Sequence, residues 1–162
     1  MAWHLAQFNV GRLLAPVGDP LVADFVDNLE LINGLGEAAP GFVWRLQTED
    51  GDATAIRAYD DDTIVNLTVW ESMEALAEFV YRTDHVSFLR RRREWFERPD
   101  EAYLAMWWVP AGHLPSVAEA VERLDHLRRH GPTPTAFSFR SPFPPPGEAR
   151  IPTVDERNVC PA

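Results

Sequence analysis

The sequence has very little cysteine and no long apolar run. Cys160 is the only cysteine among 162 residues, so no intrachain disulfide can form, which fits a reducing compartment. It lies in a proline-rich tail without a neighbouring histidine, which makes it a poor candidate for a catalytic thiol. No charged leader precedes an apolar segment at the start, and nowhere do 18 apolar residues follow one another. We therefore expect a cytoplasmic protein that does not associate with a membrane.

Basic residues are also scarce. Lys and Arg total 15 against 25 Asp and Glu, which gives a formal net charge of −10. Nucleic-acid binding needs a basic footprint for the phosphates, so we expect no nucleic-acid partner. The single basic cluster is Arg90–Arg93. In so acidic a chain, this cluster predicts a solvated or ion-paired stretch of helix.

Several motifs that mark phosphate, serine-nucleophile or metal sites are absent. There is no P-loop and no Gly-x-Ser-x-Gly, and the glycines of 34–36 end a helix instead of joining a strand to one. The acidic turns at 49–52 and 60–62 lack the twelve-residue calcium loop. His126 and His130 have the spacing of a two-histidine metal face, but two arginines and no glutamate lie between them. We expect no metal.

The pattern that is present alternates strands and helices within one domain. Residues 3–11 alternate with a period of two, which predicts a strand. Further strands are predicted at 42–48, at 63–70, which is rich in β-branched residues, and at Tyr103–Val109. Apolar residues recur at helical spacing from Pro20, from Ser72 to about residue 97 with a break near Thr83, and after Pro115. Residues 54–59 and 136–140 are ambiguous between strand and irregular structure.

The resulting order, β-α-β-β-α-β, predicts an α+β ferredoxin-like fold with an antiparallel sheet and both helices on one face. We place the domain at 1–143, with an extra C-terminal helix, and a proline-rich tail at 144–162. The second face of the sheet then needs a cover, which we expect from a partner's sheet or from a ligand. The tail is a candidate for wrapping a partner protomer.

One segment resembles a known superfamily. Thr68-Val69-Trp70-Glu71-Ser72, followed by Leu76 and Phe79, is similar to the dimeric α+β-barrel superfamily that includes antibiotic-biosynthesis and heme-degrading monooxygenases. Further stretches resemble one bacterial branch of it, the domain-of-unknown-function family numbered 3291. They are Trp3–Gln7, Pro40–Leu46, Arg91–Phe96, Trp107–His113 and Gly131–Thr133. The resemblance implies a homodimeric α/β barrel with a small-molecule pocket, whereas the fold itself does not choose the reaction.

Three residues are the candidate catalytic set. His85, in the second helix, could act as a base near pH 7 or ligate iron. Asn9 and Asn66 lie on strand faces that are otherwise apolar, where amides must be hydrogen-bonded or hydrated, and they could hold a substrate oxygen. The alternatives are a hydrogen-bonded helix histidine and a water-filled seam between sheets.

A second set could bind substrate. Gln7 shares a strand face with Asn9, and Trp70 and Trp108 could form apolar walls, although tryptophans more often belong to a core or an interface. Tyr81 precedes His85 by four residues. Arg93 could pair with a carboxylate, or it could bridge to a glutamate four residues on.

These residues lead to two functional hypotheses, and a third possibility is a structural dimer that binds no ligand. The first is a monooxygenase-like enzyme without a cofactor that acts on a small hydrophobic or aromatic metabolite; a cyclase or an isomerase is also possible for this fold. The second is a heme- or small-ligand-binding protein without turnover. Heme degraders of the superfamily use a first-strand Asn with a Trp and a His on the second helix. Asn9 matches, but Phe79 stands at the Trp position and His85 comes about one turn early, so we predict no cofactor.

Overall fold

A computed structural model describes residues 2–151 of the chain. Its strands are β1 (Trp3–Arg12), β2 (Phe42–Arg45), β3 (Thr63–Trp70) and β4 (Leu104–Pro110). Its α-helices are α1 (Ala23–Asp27), α2 (Leu29–Glu37), α3 (Met73–Arg82), α4 (His85–Arg90), α5 (Arg92–Trp95) and α6 (Val117–His130), and a 3₁₀ turn at Pro20–Val22 precedes α1. Within these residues, no helix is long and apolar enough to cross a bilayer.

The four strands form one antiparallel sheet in the order β2-β3-β1-β4. The two central strands are the first and third in the chain, as in a ferredoxin-like fold, so the predicted fold class is confirmed. The register places Gln7 opposite Thr68 and Asn9 opposite Asn66. The polar residues of the two central strands therefore meet side by side on one face of the sheet.

That polar face is also the face on which the helices α1–α5 pack. Leu5, Trp70 and Met106 contribute to its core from the sheet, and Met73, Leu76 and Phe79 contribute from α3. A second apolar cluster joins the end of β1 to α5 through Leu13, Trp95 and Phe96. Helices α1–α5 therefore cover the face of the sheet that carries the polar residues Gln7 and Asn9.

The opposite face is covered by α6 of the same chain. Phe8, Leu67 and Trp107 are almost completely buried there against Leu124 and neighbouring residues of α6. The expectation that a partner's sheet or a ligand covers this face is therefore corrected: the extra helix supplies the cover, because its apolar residues recur on one side. Homodimerisation stays a prediction, and it would need another surface.

Two of the helical segments begin at a residue whose side chain caps them. The side chain of Asp19 accepts a hydrogen bond from Leu21 N (2.9 Å), and Ser72 accepts one from Ala75 N (3.1 Å). Thr83 has an extended backbone between α3 and α4, which confirms the predicted break.

The two ambiguous segments do not form strands. Residues 54–59 are irregular. In 136–140, Phe137 forms an isolated bridge to Met106 at the edge of β4, and Ala136 and Ser138 form local bridges to Thr133 and Ser141. β2 ends at Arg45, three residues before the end of the predicted 42–48, and a bulge between Phe42 and Trp44 shifts its register with β3. The structure describes the proposed tail over residues 144–151, and this part contains no helix or strand. The rest of the tail, with Cys160, lies outside the described residues.

The turn before β2 requires glycine for two reasons. Gly41 has φ +82°, and a Cβ there would lie 2.5 Å from Ala75 Cβ in α3. We expect Gly41→Ala to lower the free energy of unfolding by about 2–3 kcal/mol, the sum of backbone strain and overpacking. Gly18→Ala is the matched control, since Gly18 has φ +99° but nothing within 4 Å of the position that a Cβ would take, so only the backbone cost of about 1 kcal/mol remains. Equal losses in urea unfolding would contradict the steric argument.

Candidate functional site

A cavity of about 490 Å³ lies between the inner face of the sheet and helices α1–α5. Its volume is within the range of small-molecule sites. Residues 46–54, which follow β2, and residues 131–140, which follow α6, contribute further parts of the wall. Most of the lining is aromatic or aliphatic, and its aromatic members include Phe25, Phe42, Trp70, Phe79, Tyr81, Phe88, Trp95, Phe96, Tyr103 and Phe139. The cavity thus fits a ligand with a substantial apolar surface.

The floor of the cavity carries a polar strip contributed by β1 and β3, which consists of Gln7, Asn9, Asn66 and Thr68. Thr68 Oγ1 donates a hydrogen bond to Gln7 Oε1 (3.0 Å), and it accepts one from Trp70 Nε1 (2.9 Å). Asn66 Nδ2 makes a longer contact of 3.5 Å with the same Gln7 oxygen. These bonds fix the orientation of Gln7 and satisfy the buried indole N–H.

Asn9 and Asn66 have hydrogen-bonding capacity that the strip does not use. The side chain of Asn9 makes no hydrogen bond within residues 2–151, and the Asn66 oxygen likewise accepts none there. Both amides line the cavity, where Asn66 is exposed and Asn9 half-buried. An amide N–H in a mostly apolar cavity can stabilise a negatively charged oxygen of a ligand.

His85 lines the same cavity from the start of α4. The Thr83 hydroxyl donates to Phe79 O and accepts from His85 N (3.3 Å), which fixes the chain where α3 gives way to α4. His85 Nδ1 lies 3.4 Å from Val80 O. A carbonyl can only accept, so Nδ1 carries the proton in this contact and Nε2 keeps its lone pair.

The surroundings of His85 favour its neutral form. Burial lowers the pKa of His85 below its ordinary value, and the contact with Val80 O offsets this only in part. Its ring lies against Phe79 (centroids 4.9 Å apart), which in turn stacks on Trp70 (5.2 Å). Near neutral pH the imidazole is therefore an uncharged base next to an aromatic wall.

The structure brings six of the eight predicted site residues to the cavity: Gln7, Asn9, Asn66, Trp70, Tyr81 and His85. Trp108 lies on the same face of the sheet but outside the cavity, where its indole N–H donates to Phe143 O (2.9 Å). Arg93 is exposed on α5 and also lies outside the cavity.

Sequence reasoning missed Arg92, which lines the cavity in place of its neighbour Arg93. Local spacing did not single it out: Arg92 precedes Phe96 by four residues, but α5 ends at Trp95 and Phe96 has an extended backbone, so helical spacing does not place the two on one side. Phe96 is buried against β1, where Gly11 leaves room for its ring.

The other histidines form no metal site. His126 Nε2 lies 2.8 Å from the Thr133 hydroxyl, and its ring packs 4.6 Å from that of His130. His113 Nε2 lies 2.7 Å from the carboxylate of Glu119. In the described part of the chain, no group of three or more His, Cys, Asp or Glu residues could hold a metal ion.

Comparison with solved structures finds proteins of similar architecture at low identity. SnoaB, a cofactor-independent oxygenase from Streptomyces nogalater, is 16% identical, with 70% of this chain and 97% of that chain covered and a TM-score of 0.44. Rv0793 from Mycobacterium tuberculosis is 16% identical, with 70% and 99% covered and a TM-score of 0.44. NE2512 from Nitrosomonas europaea, described as a protein of unknown function, is 14% identical, with 70% and 96% covered and a TM-score of 0.44. Likeness at this level bears on neither substrate nor reaction.

No functionally curated protein matches the chain. One family model does, and it matches residues 4–153, which is nearly the full length and includes every residue of the cavity described above. The chain therefore belongs to the family described as Domain of unknown function (DUF3291).

Proposed function

We propose that this protein is a monooxygenase-like enzyme, without a cofactor, that acts on a small hydrophobic or aromatic metabolite in the cavity. The observation that carries the proposal is the combination of a neutral, half-buried imidazole and an amide strip within one largely apolar cavity that is rich in aromatic residues. A base and an oxyanion-binding group are the two parts needed to remove a proton next to a carbonyl or from a phenol.

The proposed reaction begins with proton transfer to His85 Nε2. Asn9 and Asn66 stabilise the enolate or phenolate oxygen that forms, and Trp70 and Phe79 hold the ring. The electron-rich anion then reduces dioxygen and bonds to it, and a proton returns to give a hydroperoxide. Loss of water from the hydroperoxide leaves a new carbonyl, so that R₂CH₂ + O₂ gives R₂C=O + H₂O. The substrate supplies all the electrons in this balance, so no added reductant is needed.

The second candidate is a heme- or planar-ligand-binding protein without turnover. A neutral imidazole with a free Nε2 is also the form that ligates heme iron, and His85 has the chemical character for it. Iron would supply redox chemistry when bound, whereas the protein would contribute His85 and the aromatic walls.

We further propose a cytoplasmic homodimer, in which the protomers meet on a surface other than the face covered by α6. The single cysteine supports the location. Native mass spectrometry of the purified protein reports the oligomeric state and any bound heme or metabolite together. A bare monomer would contradict the homodimer, and heme recovered at one per chain would favour the second candidate.

The enzyme proposal is tested with anthrone, an aromatic ketone whose methylene group is acidic because two rings and the carbonyl stabilise its anion. We expect the metal-free, flavin-free protein to convert anthrone to anthraquinone and to consume one O₂ per product formed, faster than the buffer blank. An oxygen electrode and the quinone absorbance measure both quantities. Absence of turnover across anthrone and a panel of related phenols and ketones would count against the enzyme and leave ligand binding.

A further inference from the structure

Arg92 is held at one end of the cavity by two aromatic rings. Its guanidinium carbon lies 4.8 Å from the centre of the Phe96 ring and 4.5 Å from that of Tyr103. One terminal nitrogen makes a long contact of 3.4 Å with Val10 O. Packing between two rings fixes a planar cation in place and leaves most of its N–H groups available.

The charge of Arg92 has no counterpart nearby. No carboxylate of residues 2–151 lies within ion-pair distance of it, although the chain carries 25 acidic residues against 15 basic ones. Its neighbour Arg91, by contrast, pairs with Asp24 (2.8 Å) and Glu94 (2.9 Å). Burial lowers the pKa of Arg92, in keeping with a charge that is poorly hydrated.

The other charged side chains of the cavity differ from Arg92 in being paired or open to water. Arg140 lines the cavity without an ion pair among residues 2–151, but it is exposed, so water can hydrate its charge. Arg45 Nε lies 2.6 Å from Glu37 Oε1. Asp52 is the one carboxylate among the described lining residues, and it accepts hydrogen bonds from the backbone and hydroxyl of Thr54. A half-buried cation without a partner is costly, and a bound anion would remove that cost.

We propose that the ligand of this cavity carries a carboxylate, which Arg92 binds. The inference deepens the proposed function, on which it rests, by naming a substrate class: small aromatic carboxylic acids. A guanidinium presents a pair of parallel N–H groups that match a carboxylate. A phosphate dianion fits less well, because Arg92 is a single cation and the Val10 carbonyl lies beside it.

The position of Arg92 also sets the length of such a ligand. Gly11, whose Cβ position would lie 3.3 Å from the Arg92 guanidinium, follows Asn9 by two residues along β1. Two residues of a strand span about 7 Å. A carboxylate held by Arg92 near Gly11 would therefore lie about 7 Å along β1 from Asn9, which suits a ligand of one to two fused rings.

The test compares 2-naphthoate with 2-naphthamide, which has the same shape without the charge, by isothermal titration calorimetry. We expect naphthoate to bind at least about tenfold more tightly, as a charge-assisted hydrogen-bonded pair predicts. Arg92→Gln should remove about tenfold of the naphthoate affinity and leave the naphthamide affinity within twofold. Arg93→Gln, the same change one residue on at an exposed position, should alter neither.

Two further measurements keep the outcome decisive. The thermal midpoint of Arg92→Gln checks its fold, and Arg92→Lys should restore part of the naphthoate preference because it keeps the charge. Equal affinities of wild type for the two probes, or equal effects of the Arg92 and Arg93 changes, would overturn the inference. Selective naphthoate binding without oxygenation of any substrate would contradict the enzyme proposal but not this inference. Anthrone oxidation without a preference for carboxylate ligands would contradict this inference but not the enzyme proposal.

Discussion

His85→Ala is expected to lower kcat for anthrone oxidation by at least about a hundredfold, the usual contribution of a positioned general base. The ring lies at the cavity wall and contacts Phe79, and its Nδ1 contact with Val80 O leaves Nε2 free to accept the proton. Removing it takes away the base but leaves the amide strip and the aromatic walls. KM should therefore change much less than kcat.

His113→Ala is the matched control, because His113 is 46% exposed and contacts Glu119 outside the cavity. It should keep the wild-type rate. Circular dichroism and the thermal midpoint of both variants separate lost chemistry from lost folding. If His85→Ala oxidises anthrone at the wild-type rate, the role assigned to His85 is refuted, and the binding-only candidate or another base has to take its place.

The pH dependence provides an independent check on the same residue. Burial lowers the pKa of His85 below 6.5, so the neutral imidazole persists to a lower pH than for a free histidine. The acid limb of kcat/KM, which reports the free enzyme, should therefore begin below pH 6.5 and be absent from the residual rate of His85→Ala. The same shift affects the free energy of unfolding. Because the unfolded chain binds the proton more readily than the folded one, the contribution of His85 to stability is present above pH 6.5 and is lost as the pH falls through the folded-state pKa.

The sheet and its polar strip could be predicted because strand patterns are local. A period of two places Gln7 and Asn9 on one face, and the β-branched run of β3 gives its bounds, Thr63 and Trp70, directly. In a ferredoxin-like sheet β1 and β3 are neighbours. A register that buries the apolar residues of both strands on the same face also places Asn9 beside Asn66.

The cover of the second face and the cavity cation depended on information that local patterns lack. The amphipathic character of α6 predicts that it packs somewhere, but not on which side of the sheet. Whether Arg92 or Arg93 lines the cavity depends on the rotation of the short helix α5. Because breaks interrupt the helical stretch, the spacing of apolar residues in the sequence does not define that rotation. Trp108 shares its strand with Trp107, and only the path of residues 131–143 shows why it is covered by Phe143 instead of a ligand.

Trp107→Ala is expected to give the largest loss of stability, about 3–5 kcal/mol, as for other buried tryptophans. Trp107 is fully buried between the sheet and α6, and its indole N–H donates to Glu119 Oε1 (3.0 Å). The change leaves a cavity in the layer that joins α6 to the sheet and removes a hydrogen bond between them. For a chain of this length the thermal midpoint should fall by about 10 °C.

Trp108→Ala is the matched control, since the adjacent tryptophan is half-buried on the other face and loses only its bond to Phe143 O and part of its packing. We expect a loss of about 1–2 kcal/mol there. The measurement also bears on what covers the sheet. If α6 of the same chain is the cover, the effect of Trp107→Ala should be the same at every protein concentration. A midpoint that rises with concentration in wild type, and much less in Trp107→Ala, would mean that a second copy reaches this face and that the packing of α6 on it is not the state in solution.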